Sequence, residues 1–140
     1  MRRYIGKSVL IGALGACSLM GAGGNALASV RVGGWSLTSN GQVIPGFTYT
    51  GQCPVNLKFA WGLIGTAPGD VAYAFRRSDG AKSASQNVTL PRSNQSVPVY
   101  DEWQLGAPTP QFRNFKGWVE LEVASPNPLS KKVNFTLHCN

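Results

Sequence analysis

From Val55 onward, hydrophobic and polar residues alternate with a period of two. Val55, Leu57, Phe59, Trp61 and Leu63 fall on one side, with Asn56, Lys58, Ala60 and Gly62 on the other. Such alternation marks a strand with one face buried. The pattern recurs three times. Val71, Tyr73 and Phe75 alternate with Ala72, Ala74 and Arg76; Val119, Leu121 and Val123 with Trp118, Glu120 and Glu122; and Val133, Phe135, Leu137 and Cys139 with Asn134, Thr136 and His138. Beyond residue 28 no ten-residue stretch keeps a helical period without Gly or Pro, so the chain reads as all-β. Strands are expected at 30–38, 54–64, 70–77, 86–90, 96–105, 117–124 and 131–139, with Phe47 to Thr50 a short extended piece leading into Cys53.

The punctuation agrees with this reading. Asn40-Gly41, Pro45-Gly46, Ala67-Pro68-Gly69-Asp70, Ser78-Asp79-Gly80 and Ser125-Pro126-Asn127-Pro128 are turn sequences. Gly33-Gly34 predicts a bulge or a change of partner in the first strand. In 96–105, Pro98 points to an edge position, and Asp101 shares the phase of Val97, Val99, Trp103 and Leu105. Either a bulge near Tyr100 turns that carboxylate off the core face or Asp101 sits at a rim, and the bulge is the expectation. Seven short strands at this spacing predict a two-sheet antiparallel sandwich of immunoglobulin-like order.

The first 28 residues follow another logic. Arg2, Arg3 and Lys7 precede an apolar stretch from Val9 to Met20, and Ala26-Leu27-Ala28 is a small-x-small cleavage signature. This is the layout of a cleaved signal peptide, placing a domain at 29–140 in the extracellular or periplasmic space. The apolar run is too short and too glycine-rich for a stable transmembrane anchor. Leu14-Gly15-Ala16-Cys17 also matches a lipoprotein box. The alternative is therefore an envelope lipoprotein with a lipid anchor at Cys17.

Without the leader, 112 residues remain, enough for one domain, with Cys53 and Cys139 its two thiols. Oxidising surroundings predict a Cys53–Cys139 disulfide. In an immunoglobulin-like order the two cysteines lie at one pole, at the start of the second strand and the end of the last. The segments Gly51-Gln52-Cys53-Pro54, Phe75-Arg76-Arg77-Ser78-Asp79-Gly80-Ala81, Gly117-Trp118-Val119-Glu120-Leu121-Glu122-Val123, Ser125-Pro126-Asn127-Pro128 and Phe135-Thr136-Leu137-His138-Cys139 resemble bacterial secreted immunoglobulin-like or fibronectin-III-like sandwich domains. That resemblance spans most of 47–140. It implies a fold and brings no functional residues with it.

Charge narrows the function classes a little. The leader holds three of the thirteen basic residues and none of the six acidic ones, so the net charge falls from +7 to +4 on its removal. The remaining bases are scattered along the chain, and no nucleic-acid stripe is expected. His138 is the only histidine, no carboxylate pair has catalytic context, and the disulfide would consume both thiols, so neither an enzyme, a metal site nor a cofactor is expected. Asp101, Glu102, Asp70 and Asp79 read as turn and rim acids. Glu120 and Glu122 are expected to pair with Lys131 or Lys132 across a hairpin. Asn87-Val88-Thr89 and Asn134-Phe135-Thr136 match a glycosylation sequon, yet both fall inside expected strands.

A non-catalytic binding or structural module remains, meeting a protein or glycan of the cell envelope through loops or edge strands. Candidate binding residues are Trp35, Arg76, Arg77, Tyr100, Arg113 and Trp118. Trp35, Trp118 and Tyr100, with Arg76 or Arg113, would serve a carbohydrate-binding module. Gly106 to Asn114 would be the protruding loop of a periplasmic enzyme inhibitor.

Overall fold

The computed structural model describes residues 28–140. The expected signal peptide lies outside that range except for Ala28, and so does the lipoprotein box with Cys17. Among the described residues nine strands run in chain order: β1 Val30–Ser39, β2 Gln42–Val43, β3 Thr48–Gly51, β4 Val55–Gly65, β5 Gly69–Arg77, β6 Gln86–Leu90, β7 Ser96–Leu105, β8 Phe115–Ser125 and β9 Leu129–Cys139. They form two sheets: sheet I in the order β2-β1-β4-β7, and sheet II in the order β3-β9-β8-β5-β6. The seven expected strands are all present. Between the first and second of them β2 is an addition, and the extended piece expected at Phe47 to Thr50 is the strand β3, with Phe47 itself in the turn before it.

Asn40 and Gly41 both take positive φ, 50° and 77°. This two-residue turn lets β2 fold back on β1, pairing Thr38 with Val43 and Ser39 with Gln42. The chain then leaves sheet I through a 3-10 turn at Pro45–Phe47. It joins sheet II as β3, parallel to β9, with Thr48 opposite Thr136 and Gly51 opposite Cys139. The expected purely antiparallel sandwich is therefore corrected: sheet II is mixed. The physical reason is the crossover, which carries β3 along the outer edge of β9 in the same direction and covers backbone groups that would otherwise be bare.

Register explains the burial. In β4, Val55, Leu57, Phe59, Trp61 and Leu63 face sheet II and are buried. Opposite them, β5, β8 and β9 contribute Val71, Phe75, Val119, Leu121, Val133, Phe135 and Leu137. Aromatic rings interlock at the centre: Phe59 against Phe135 at 5.2 Å between centroids, and Trp61 against Phe75 at 5.3 Å. The register shift expected at Gly33-Gly34 is present in β1, between Val32 and Gly34. A second, between Ala72 and Tyr73, distorts the β5–β8 pairing.

The bulge expected near Tyr100 does not occur, and Asp101 takes the alternative rim position. β7 pairs with β4 without interruption from Ser96 opposite Ile64 to Leu105 opposite Val55, so Asp101 stays in the inward phase. Its carboxylate is neutralised there. Arg77, in the inward phase of β5, donates from Nε and Nη2 to the two Asp101 oxygens, both at 3.0 Å, and from Nη2 to the Glu102 carbonyl at 2.8 Å. The guanidinium also lies 5.1 Å from the Trp103 ring centroid. A charged pair thus bridges the two sheets at the margin of the core.

The outer face of sheet II departs from expectation too. Among the described residues, Glu122 pairs with Arg76 at 3.1 Å and Lys82 at 3.7 Å. The lysines expected to meet the glutamates lie over indoles instead: Lys131 Nζ is 3.9 Å from the Trp35 ring centroid and Lys132 Nζ 4.1 Å from that of Trp118. Lys131 occupies the inward phase of β9 and so reaches across the flank of the sandwich.

The two ends are pinned differently. At one pole Asn127 grips the start of β1: its Oδ1 accepts from the Val30 N–H at 2.7 Å, and its Nδ2 donates to the Val30 carbonyl at 3.2 Å. Ser29 joins Thr66 through its N–H on Oγ1 at 3.0 Å and its carbonyl on the Thr66 N–H at 2.9 Å. At the other pole Cys53 is bonded to Cys139, their Cα atoms 5.5 Å apart. Gly106 makes this close-packed end possible. Its φ is +94°, and a Cβ there would lie 2.8 Å from one sulfur and 2.9 Å from the other.

Candidate functional site

The disulfide pole carries a cleft of about 810 Å3, larger than depressions of about 580, 390 and 360 Å3 on the sheet faces and flanks. Its volume is in the range of small-ligand sites. One wall is the β1–β2 hairpin, with Asn40, Gln42 and Val43; the other is β3 and the segment after it, with Thr48, Tyr49 and Gln52. Buried Ile44 and Val55 close the base, and Asn56 borders it from β4.

Local sequence builds these walls. The Asn40-Gly41 turn sets Gln42 and Val43 on the hairpin tip, where Val43 is 71% exposed. The crossover is anchored by the Ile44 N–H donating to the Leu37 carbonyl at 2.9 Å. Phe47 holds a positive φ of 54°, unusual for an aromatic residue, and its ring packs on the core. That burial offsets a backbone conformation costing on the order of 1–2 kcal/mol. Tyr49 is held by its hydroxyl, which donates to the Gln52 carbonyl at 2.8 Å. Gly51 gives the phenol room: a Cβ there would lie 2.6 Å from the Tyr49 oxygen.

Among the described residues no Lys, Arg, Asp or Glu lines the cleft. It presents side-chain amides, hydroxyls and aliphatic surface, with the Cys53–Cys139 bond holding the segment before β4 to the end of β9. Such groups donate and accept hydrogen bonds without selecting for charge. Among the described residues no three His, Cys, Asp or Glu side chains gather as metal ligands, and no helix is long and apolar enough to cross a membrane.

The residues singled out from the sequence are dispersed around the sandwich. Tyr100 stands on the outer face of sheet I, 53% exposed, with Lys58 Nζ 4.0 Å from its ring centroid. Trp35, 44% exposed, lies on β1 opposite Trp61 and beside Lys131 at the flank. Trp118 and Arg76 occupy the outer face of sheet II, across the molecule. Arg77 is engaged by Asp101. Arg113 is exposed at the disulfide pole, where its carbonyl accepts from His138 Nδ1 at 2.9 Å. Trp35, Tyr100 and Trp118 therefore form no shared aromatic platform. The 106–114 loop is tied down as well, by Gly106 against the disulfide and by Phe112, whose ring packs on the core and lies 5.4 Å from that of Phe115.

The cleft residues Gln42, Gln52 and Asn56 were not singled out. Nothing in one dimension separates them from ordinary turn and strand-face polar residues. Only the return of the chain from β2 through the crossover to β3 sets them around one space.

No protein-family model and no curated protein matches the chain. Among solved structures, the C-terminal domain of wzt is similar, with a TM-score of 0.48 at 10% identity over 79% of this chain and 73% of that one. So is the GH3 β-glucosidase of Bifidobacterium adolescentis, with a TM-score of 0.42 at 10% identity, where the match spans 77% of this chain and only 17% of the enzyme. At these values neither likeness bears on ligand or activity.

Proposed function

We propose that the protein is an exported recognition module of immunoglobulin-like type, without catalysis, that meets an envelope partner through its disulfide pole. The strand order supports the type. With β2 and β3 set aside, β1-β4-β7 packs on β9-β8-β5-β6, the arrangement of a seven-strand sandwich in which the fourth strand pairs with the third. A disulfide among the described residues is in keeping with an oxidising compartment.

The cleft at the disulfide pole is the observation that carries the functional reading. It is the roomiest of the concavities described above, and its walls are anchored to strand ends, a backbone turn and the disulfide. A site on such supports needs little ordering when a partner binds. The test is binding of fluorescently labelled protein to isolated bacterial envelopes after attaching a polyethylene glycol chain at one introduced cysteine. Attachment at Asn40→Cys, on the cleft rim, should abolish binding, and attachment at Ser93→Cys, near the opposite pole, should leave it intact. Equal loss at both positions, or at neither, would exclude the disulfide pole as the binding surface.

A second reading rests on β7. Among the described residues that strand pairs only with β4 along its ten residues, and its other edge would take an added strand from a protein partner. Pro98 limits the hydrogen bonds that edge can offer, so the pole is the stronger candidate.

A further inference from the structure

We infer that the cleft at the disulfide pole is a binding site for a neutral saccharide chain; this rests on the reading of that pole as the recognition surface. The chemistry of the lining makes the selection. A sugar without acid or amine groups offers hydroxyls, each able to donate and accept, together with apolar C–H faces. Asn40, Gln42, Gln52 and Asn56 supply both donor and acceptor from each amide, and Thr48 and Thr50 add hydroxyls. Val43, Pro45 and Pro54 supply apolar surface beside them, two of these being rigid rings. Among the described residues Val43 is the most exposed of the large hydrophobic side chains, which leaves its methyl groups open to the C–H face of a sugar.

Charge argues against the other classes. An anionic polymer needs guanidinium or ammonium groups in the site, and a cationic peptide needs carboxylates; among the described residues the lining holds neither. Lys58, the lysine of β4, lies over the Tyr100 ring on the outer face of sheet I, and Arg113, exposed at the same pole, is not among the lining residues. An extended peptide would pair with bare backbone, and the two edge strands beside the cleft are short, β3 with four residues and β2 with two. Side-chain amides rather than strand edges dominate the space, as hydroxyl recognition requires. The volume of about 810 Å3 accommodates a short run of sugar units rather than a single one.

The experiment is affinity electrophoresis of the exported protein through gels containing dextran, galactomannan, glucomannan, polygalacturonate or denatured casein. The same polymers are then used as competitors in the envelope-binding assay. Retardation by at least one neutral polysaccharide is expected, unchanged in 0.5 M salt because no ion pair is involved. Gln42→Ala and Asn56→Ala, both at exposed positions, should each weaken it about tenfold, the loss of one well-made hydrogen bond. Val43→Arg should abolish it, with melting temperatures confirming that all three variants fold.

Retardation that survives all three substitutions would overturn the assignment to the cleft. Salt-sensitive retardation by polygalacturonate alone, or retention by casein alone, would replace the neutral saccharide by an anionic or a peptide ligand. Pole-dependent envelope binding that none of the neutral polysaccharides competes would overturn the ligand class and leave the recognition surface standing. Envelope binding indifferent to the pole would remove both.

Discussion

Substituting Arg77 and Asp101 singly and together measures how far a charged pair between the sheets contributes to the fold. Both side chains lie in the inward phase of their strands, with 25% and 13% of their surfaces exposed, and they share two hydrogen bonds at 3.0 Å. At an effective dielectric near 20, opposite charges about 4 Å apart attract by about 4 kcal/mol. Desolvation consumes part of that, and the exposed quarter of Arg77 admits screening, so a coupling of about 2 kcal/mol is expected. Asp101→Leu should cost about 3 kcal/mol because it strands a guanidinium whose remaining acceptor is the Glu102 carbonyl. Arg77→Met should cost a similar amount by leaving the carboxylate alone at the core margin. The double variant Arg77→Met/Asp101→Leu should recover most of the loss, since paired apolar side chains carry no stranded charge. Urea unfolding of the four proteins gives the cycle directly. Additive single effects, with coupling below about 0.5 kcal/mol, would mean that the pair behaves as a surface contact and that the account of Asp101 in the inward phase is mistaken.

Gly106→Ala should destabilise by about 2–5 kcal/mol, the sum of a left-handed backbone penalty and a collision with both sulfurs, read as a lower urea midpoint. Cys53→Ser/Cys139→Ser opens a connection spanning 86 residues and should cost roughly 4–5 kcal/mol on the chain-entropy account, measured by thermal unfolding with and without the bond. Asn127→Ala removes both bonds to Val30 and should cost about 1–2 kcal/mol, with faster hydrogen exchange confined to the start of β1 and the end of β4. Burial, and secondarily the Tyr100 phenol, raise the ionisation of Tyr73 above its ordinary value of 10.0. The unfolded chain therefore releases this proton first, and the stability due to Tyr73 is complete below pH 10 and declines as pH rises through the folded-state ionisation. Subtracting the profile of Tyr73→Phe from that of the parent protein should leave this alkaline slope; identical slopes would exclude it.

Much of the sandwich is legible in local pattern. The alternation in β4, β5, β8 and β9 reports burial directly, because a strand between core and solvent has no other way to sort its side chains. Asn40-Gly41 names its turn, since both residues tolerate positive φ. The cysteines are placed at one pole by topology alone. The failures are equally specific. Asp101 in an apolar phase suggested a bulge, because the sequence does not reveal that Arg77, 24 residues away and on the other sheet, supplies the compensating charge. Glu122 was matched with the lysines across its own hairpin, whereas Arg76 on the other neighbouring strand competes for it at 3.1 Å. Lys131 and Lys132 were free to settle over indoles whose positions depend on how the sheets stack.

The sequence alone thus determined the all-β class, the turns, the buried face of each long strand and the pairing of Cys53 with Cys139, all consequences of short-range periodicity and residue chemistry. Only the tertiary structure decided that the chain crosses between sheets after β2, that β3 runs parallel to β9, that Trp35, Tyr100 and Trp118 lie on separate surfaces, and that uncharged amides gather in one cleft. Those outcomes depend on contacts between residues far apart in the chain. Periodicity can say that a residue faces outward, but which outward residues share a surface is set by strand order and crossover geometry.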